Sequence, residues 1–113
     1  MIPMIRHISV FTFAGQAPNG KSKAENIAAV RAFMEQNIPA LYPPIRAQHV
    51  YASALETPEL PDEAPVIFGD LIQVVDFDTP EDAAGYGPSE AHTKLVEFSG
   101  AMVKKVTAID YEV

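Results

Sequence analysis

The chain has no cysteine, which excludes a disulfide framework, a thiolate zinc site and a thiol nucleophile, and fits a reducing compartment. It is also short of cations. Eight Lys and Arg stand against 15 Asp and Glu, a formal net charge of −7. Nucleic acid and anionic lipid are bound through clustered cations, so neither is an expected partner. No stretch approaches the roughly 20 apolar residues of a membrane span. The opening Met-Ile-Pro-Met-Ile-Arg-His lacks the cationic stretch and apolar run of a secretory leader, so the expected location is cytoplasmic. A glycine-rich phosphate loop, a His-Glu-x-x-His pair and a Gly-x-Ser-x-Gly elbow are all missing, as are internal repeats and low-complexity segments.

What is present is one domain's worth of chain, residues 1–113, with 48% hydrophobic and 20% charged residues. That is a globular composition with enough apolar surface for a single core. Met4–Phe13 is rich in β-branched and aromatic residues and reads as a strand apolar on both faces. Ala14–Lys21 is a loop broken by Pro and Asn-Gly. Ser22-Lys23-Ala24-Glu25 has the form of a capping box. Ile27, Val30, Met34, Ile38 and Leu41 follow at helical spacing, with Pro39 and Pro43-Pro44 expected to end the helix. Ile45–Leu55 reads as a second strand and Val66–Phe77 as a third. Between them, Glu56–Pro65 reads as an acidic, proline-bearing loop, mobile and dispensable for folding.

Thr79-Pro80-Glu81-Asp82 has the features of a helix start: a capping hydroxyl, proline in the first turn, and acids at the positive end of the dipole. Gly85, Gly87 and Pro88 interrupt that helix, which is expected to restart at Pro88 and run to about Lys104. Lys104 and Lys105 then fall at its end, and Val106–Val113 forms a last strand. The order β-α-β-β-α-β predicts a ferredoxin-like α+β fold with both helices on one sheet face. The other face stays apolar, and a second copy of the same sheet is its expected cover, giving a homodimer.

Three histidines carry the candidate chemistry, because only imidazole titrates near neutrality unaided. His92 falls on a stripe with Leu95, Val96, Ser99, Met102 and Val103, facing the sheet near a helix start. Tyr86 lies six residues earlier, on the broken turn leading to that helix. His7 lies in the first strand, where a satisfied core histidine competes with a site role. His49 shares a face with Tyr51 and reads as structural or as part of a dimer interface. No two histidines have the close spacing of a metal motif, so no metal and no cofactor are expected. Asp76 and Asp78 beside Glu81-Asp82 read as a helix cap with a solvated acidic turn.

With these residues in view, Ile5-Arg6-His7-Ile8-Ser9-Val10-Phe11-Thr12-Phe13 resembles the opening strand of the stress-responsive α/β barrel (Dabb) family. The run Leu71–Asp82, Tyr86 with His92 six residues on, and the closing Ile109-Asp110-Tyr111-Glu112-Val113 are similar to its second half. The resemblance implies a dimeric α/β barrel. The family includes plant stress-tolerance proteins and olivetolic acid cyclase, a polyketide cyclase. Carried over, His92 is the implied general base, Tyr86 its hydroxyl partner and His7 a second polar wall; Phe11, Leu95 and Met102 are the expected apolar lining of the pocket. Ser89-Glu90 stands where family members often have His-Pro, which alters the pocket mouth. The expected function is binding of a small apolar carbonyl or aromatic compound, with cyclase-like or lyase-like chemistry on it. The alternatives are a noncatalytic stress or assembly protein acting through its oligomer and, by fold analogy alone, a monooxygenase-like barrel.

Overall fold

Strand β1 (Ile5–Phe13) lies in the middle of the sheet, and its alternation sets the two faces of the molecule. The structure is a computed structural model that describes residues 3–113; Met1 and Ile2, part of the segment read above for a leader, lie outside the described residues. After β1 come α1 (Lys23–Leu41), β2 (Ile45–Ala52), β3 (Leu71–Phe77), α2 (Pro80–Tyr86), α3 (Glu90–Ser99) and β4 (Val103–Glu112). The strands form one sheet in the order β2-β3-β1-β4, every neighbouring pair antiparallel. This is the ferredoxin-like arrangement expected from the element order.

On one face, Phe11 and Phe13 of β1 and Leu71, Val75 and Phe77 of β3 are buried beneath the helices with Val30, Met34 and Ile38 of α1. A stacked pair, Phe33 and Phe98 with centroids 4.6 Å apart, joins α1 to α3. On the other face, Ile8 and Val10 stand opposite Val74 and Ile72 on one side and Ile109 and Thr107 on the other. No element of the described chain covers them, and Tyr51, Ile109 and Tyr111 on the same face are exposed.

The helix starts follow the sequence closely. Ser22 and Glu25 form the full capping box of α1, and Thr79 caps α2 by accepting from the Asp82 amide. Several boundaries differ. Pro39 does not end α1, which continues to Leu41. One turn from the end, on the exposed side, the missing amide costs a single bond, and the Glu35 carbonyl it orphans lies on an exposed residue. Pairing of β2 ends at Ala52, not Leu55, and β3 begins at Leu71, not Val66. There the Asp70 carboxylate turns inward to the Phe13 amide, Thr57 and Lys23, and Gly69 presses against Val10 with no room for a Cβ. Val66, Ile67 and Phe68 are thus left outside the sheet and exposed.

The last helix also ends earlier than its apolar stripe implies. α3 stops at Ser99, and Gly100 and a turn in which the Met102 amide bonds the Ser99 carbonyl lead into β4 at Val103. Lys104 and Lys105 therefore belong to a strand and not to a helix end. β-Branched Val103, Val106 and Thr107 pair with β1, and that pairing outweighs the helical spacing. The acidic loop has no regular structure but is tethered, through Thr57 to Lys23 and Asp70 and through Asp62 to Lys104. No helix among the described residues is long and apolar enough to cross a membrane.

Candidate functional site

Residues two apart in a strand share a face, so β1 points His7 and Ser9 together toward the helices. The β1–β4 register sets Asp110 across from His7, and the β1–β3 register sets Gln73 across from Ser9. His7 bonds both neighbours, Nδ1 to Asp110 Oδ1 at 2.6 Å and Nε2 to Ser9 Oγ at 2.8 Å. A carboxylate only accepts. His7 Nδ1 therefore carries the proton given to Asp110, and Nε2 is left to receive the Ser9 hydroxyl proton.

Tyr86 closes α2 and is buried, its ring edge-on to His7 at 5.7 Å and to His92 at 5.4 Å. Side-chain amides fix its hydroxyl. Gln48 Nε2 donates to the Met34 carbonyl at 2.9 Å, and Gln73 Nε2 donates to Gln48 Oε1 at 2.8 Å and to the Tyr86 oxygen at 3.3 Å. The Tyr86 oxygen is thus an acceptor already, which frees its proton for another partner. Burial pushes the phenol's pKa up, so the group keeps that proton near neutrality.

Ser89 caps α3 by accepting from the His92 amide, which places His92 in the first turn, over the sheet. Burial pushes its pKa down, and the Gly87 backbone opposes that. His92 is thus mainly a neutral imidazole at neutral pH, with a lone pair on one ring nitrogen. Ser89, where the Dabb resemblance leads one to expect a histidine, serves this cap.

An open hollow of about 390 Å³ lies between α3 and β1/β4; Tyr86 and Asp110 do not line it and meet it only through Gln73 and His7. His7, Ser9, Gln73 and His92 supply its polar wall with Lys104 and Lys105, and Phe11 and Leu95 part of its apolar one. Met102 does not line it. Because α3 ends at Ser99, Met102 lies in the following turn and packs on the core. His49 is on the opposite sheet face, stacked on Tyr51 at 6.3 Å. Ser9, Gln73 and Asp110 belong to the site and went unread in the sequence. Ser9 had a signal, its parity with His7, and Gln73 another, a lone amide within Leu71–Val75. Asp110 is found only once the β1–β4 register is known.

A second hollow of about 280 Å³ lies under the acidic loop, against Phe13, Leu60, Val66, Ile67 and Phe68. Of its cations, Lys23 and Lys104 are paired with Asp70 and Asp62 and Lys105 is not, and no imidazole borders it. Among the described residues no three metal-ligating side chains cluster.

No protein-family model matches the sequence. No curated protein matches it. Solved structures do resemble the fold. A dimeric protein of unknown function and ferredoxin-like fold from Bacteroides fragilis is 19% identical, with 97% of this chain and 96% of that one covered and a TM-score of 0.73. A Dabb family protein with a ferredoxin-like fold from Mesorhizobium loti is 18% identical over 96% and 95% of the two chains, TM-score 0.68. The hydroxynitrile lyase of Passiflora edulis is 15% identical over 100% and 95%, TM-score 0.69. At this identity the likeness establishes architecture: the chain has the ferredoxin-like α+β fold found in a Dabb family protein, a dimeric protein and a hydroxynitrile lyase.

Proposed function

We propose that the chain is a small-ligand-binding homodimer that performs carbon–carbon bond chemistry on a small apolar carbonyl compound in the hollow beneath α3. The observation that carries this reading is the buried Tyr86 standing edge-on to both His7 and His92, which themselves line a hollow walled in part by Phe11 and Leu95. A few convergent polar groups in an otherwise apolar pocket are the usual composition of a ligand site. The hydroxynitrile lyase of the same fold supports the reaction class.

The chemistry needs only this chain's groups. The lone-pair nitrogen of neutral His92 takes a proton from the ligand's hydroxyl or from the carbon beside its carbonyl. The Tyr86 hydroxyl donates to the ligand oxygen as charge builds there, and His7, held by Asp110, forms the opposite polar wall. In the lyase direction, loss of a hydroxyl proton lets the adjacent carbon–carbon bond break to form the carbonyl, and the leaving carbanion or cyanide recovers the proton from the His92 imidazolium. General acid–base catalysis of this kind contributes about 10²- to 10⁴-fold.

Assembly through the open sheet face follows from its uncovered Ile8, Val10, Ile72 and Val74, and the dimeric Bacteroides fragilis protein of the same fold supports it.

Titration with benzaldehyde and mandelonitrile tests the site. Saturable uptake by the protein, weakened tenfold or more in His92→Ala with fold and assembly intact, is the expected result. Equal uptake by His92→Ala, or a variant that mainly unfolds, overturns it.

A further inference from the structure

His7 has a second partner, Ser9, that the carbonyl chemistry leaves unused. Ser9 Oγ, His7 Nε2, His7 Nδ1 and Asp110 Oδ1 form a continuous line with separations of 2.8 and 2.6 Å. Hydroxyl, imidazole and carboxylate come in the order that activates a serine. In the neutral ring, Asp110 as acceptor holds the proton on Nδ1, and His7 then presents a bare Nε2 to the hydroxyl. Ser9 is buried, yet it borders the hollow beneath α3, so its oxygen faces a space where an acyl group fits. Gln73, across from Ser9 in the sheet, lines the hollow and holds the Tyr86 oxygen, which sets a phenol with a free proton directly behind that wall.

We propose that Ser9 is an acyl-accepting nucleophile and that the hollow takes small apolar esters, a substrate class that rests on the same pocket reading as the proposed function. Ser9 Oγ attacks the acyl carbon while His7 Nε2 takes its proton. The carbonyl oxygen becomes an oxyanion to which the Tyr86 hydroxyl donates. Collapse breaks the ester bond, and the departing alkoxide takes the proton back from His7, leaving acyl-Ser9. Water then attacks the acyl group, His7 accepts its proton and returns it to Ser9 Oγ, and a carboxylic acid leaves. Asp110 stays ionised throughout; it orients the ring and keeps the proton on Nδ1.

Diisopropyl fluorophosphate, which phosphorylates activated serines with loss of fluoride, is the direct probe. Intact mass is expected to show one diisopropylphosphoryl group per chain, mapped to Ser9, absent in Ser9→Ala and formed at least tenfold more slowly in Asp110→Asn. Asp110 is an exposed edge-strand residue, so Asp110→Asn leaves the fold standing and reads the relay even if Ser9→Ala misfolds. Hydrolysis of p-nitrophenyl acetate follows the same order across the variants. No adduct, an adduct elsewhere, or equal rates in Asp110→Asn overturns the proposal. Benzaldehyde uptake separates the two readings. Uptake without labelling of Ser9 removes the nucleophile and leaves the pocket, whereas labelling with uptake indifferent to His92→Ala removes the His92 reading and leaves Ser9.

Discussion

Arg6 grips Asp76 with two parallel bonds, Nε to Oδ1 at 2.7 Å and Nη2 to Oδ2 at 3.0 Å, across the β1–β3 register on the open sheet face. A charge pair set among Ile8, Val74 and Ile109 fixes the register of that face as well as its polarity. The Arg6 guanidinium holds the Asp76 carboxyl below the usual carboxylate range. A carboxyl lowered in the folded state contributes stability that is complete above its unfolded value, about pH 4, and is lost as pH falls through the folded one. Asp76→Asn is expected to lose about 1–3 kcal/mol at pH 7, with the deficit closing in acid. Urea midpoints at pH 7 and pH 3 measure both.

Ile8→Glu tests assembly. A carboxylate with no partner at the centre of an apolar interface costs several kcal/mol, so the dimer constant should weaken by about 100-fold or more. Sedimentation at micromolar concentration reads it, and a wild-type protein that sediments as a monomer there defeats the homodimer.

His92 gives the fold a pH slope of its own. Its pKa is lowered on folding, chiefly by burial, so the unfolded chain takes up the proton first. The corresponding stability is complete above about pH 6.5 and is lost as pH falls through the lower folded value. His92→Gln should flatten the loss seen between pH 7.5 and 5.5 in urea unfolding, and the ring carbons of His92 should titrate below the usual histidine range by NMR.

The long loop should divide into two parts. Asp70 is buried and serves the Phe13 amide, Thr57 and Lys23, so Asp70→Ala is expected to cost about 3–5 kcal/mol by orphaning them. Removing a few residues between Pro58 and Ala64 should cost little, since each doubling of loop length changes closure by only about 0.6 kcal/mol. Thermal unfolding of both variants separates the tether from the loop.

The element order and the caps of α1 and α2 were legible because they rest on local chemistry: Ser22 with Glu25, Thr79 with Pro80, and apolar residues at helical steps. The Ser89 cap of α3, a helix expected to start at Pro88, was missed. The errors fell where a distant partner decides. Val66–Phe68 has strand composition but no strand to pair with once Asp70 turns inward, and Met102 continues a helical stripe that pairing of Val103 with Phe13 cuts short. The site divided the same way. His92 and Tyr86 announced themselves through spacing, whereas Asp110 is 103 residues from His7 and meets it only through strand register.

Strand β1 does two jobs on alternate residues, with His7 and Ser9 on the ligand side and Arg6, Ile8 and Val10 on the side left for a second copy. Because side chains switch faces at every step, one inserted or deleted residue within this strand exchanges the two sets at once. The imidazole and hydroxyl then turn to the partner while isoleucine and valine fill the hollow. On the proposed function, reaction chemistry and subunit recognition would share a single reading frame in space. Length changes within β1 are barred twice over, while point changes act on one job at a time. A deep substitution scan should show that as a two-residue beat, uptake defects alternating with assembly defects along Ile5–Phe13.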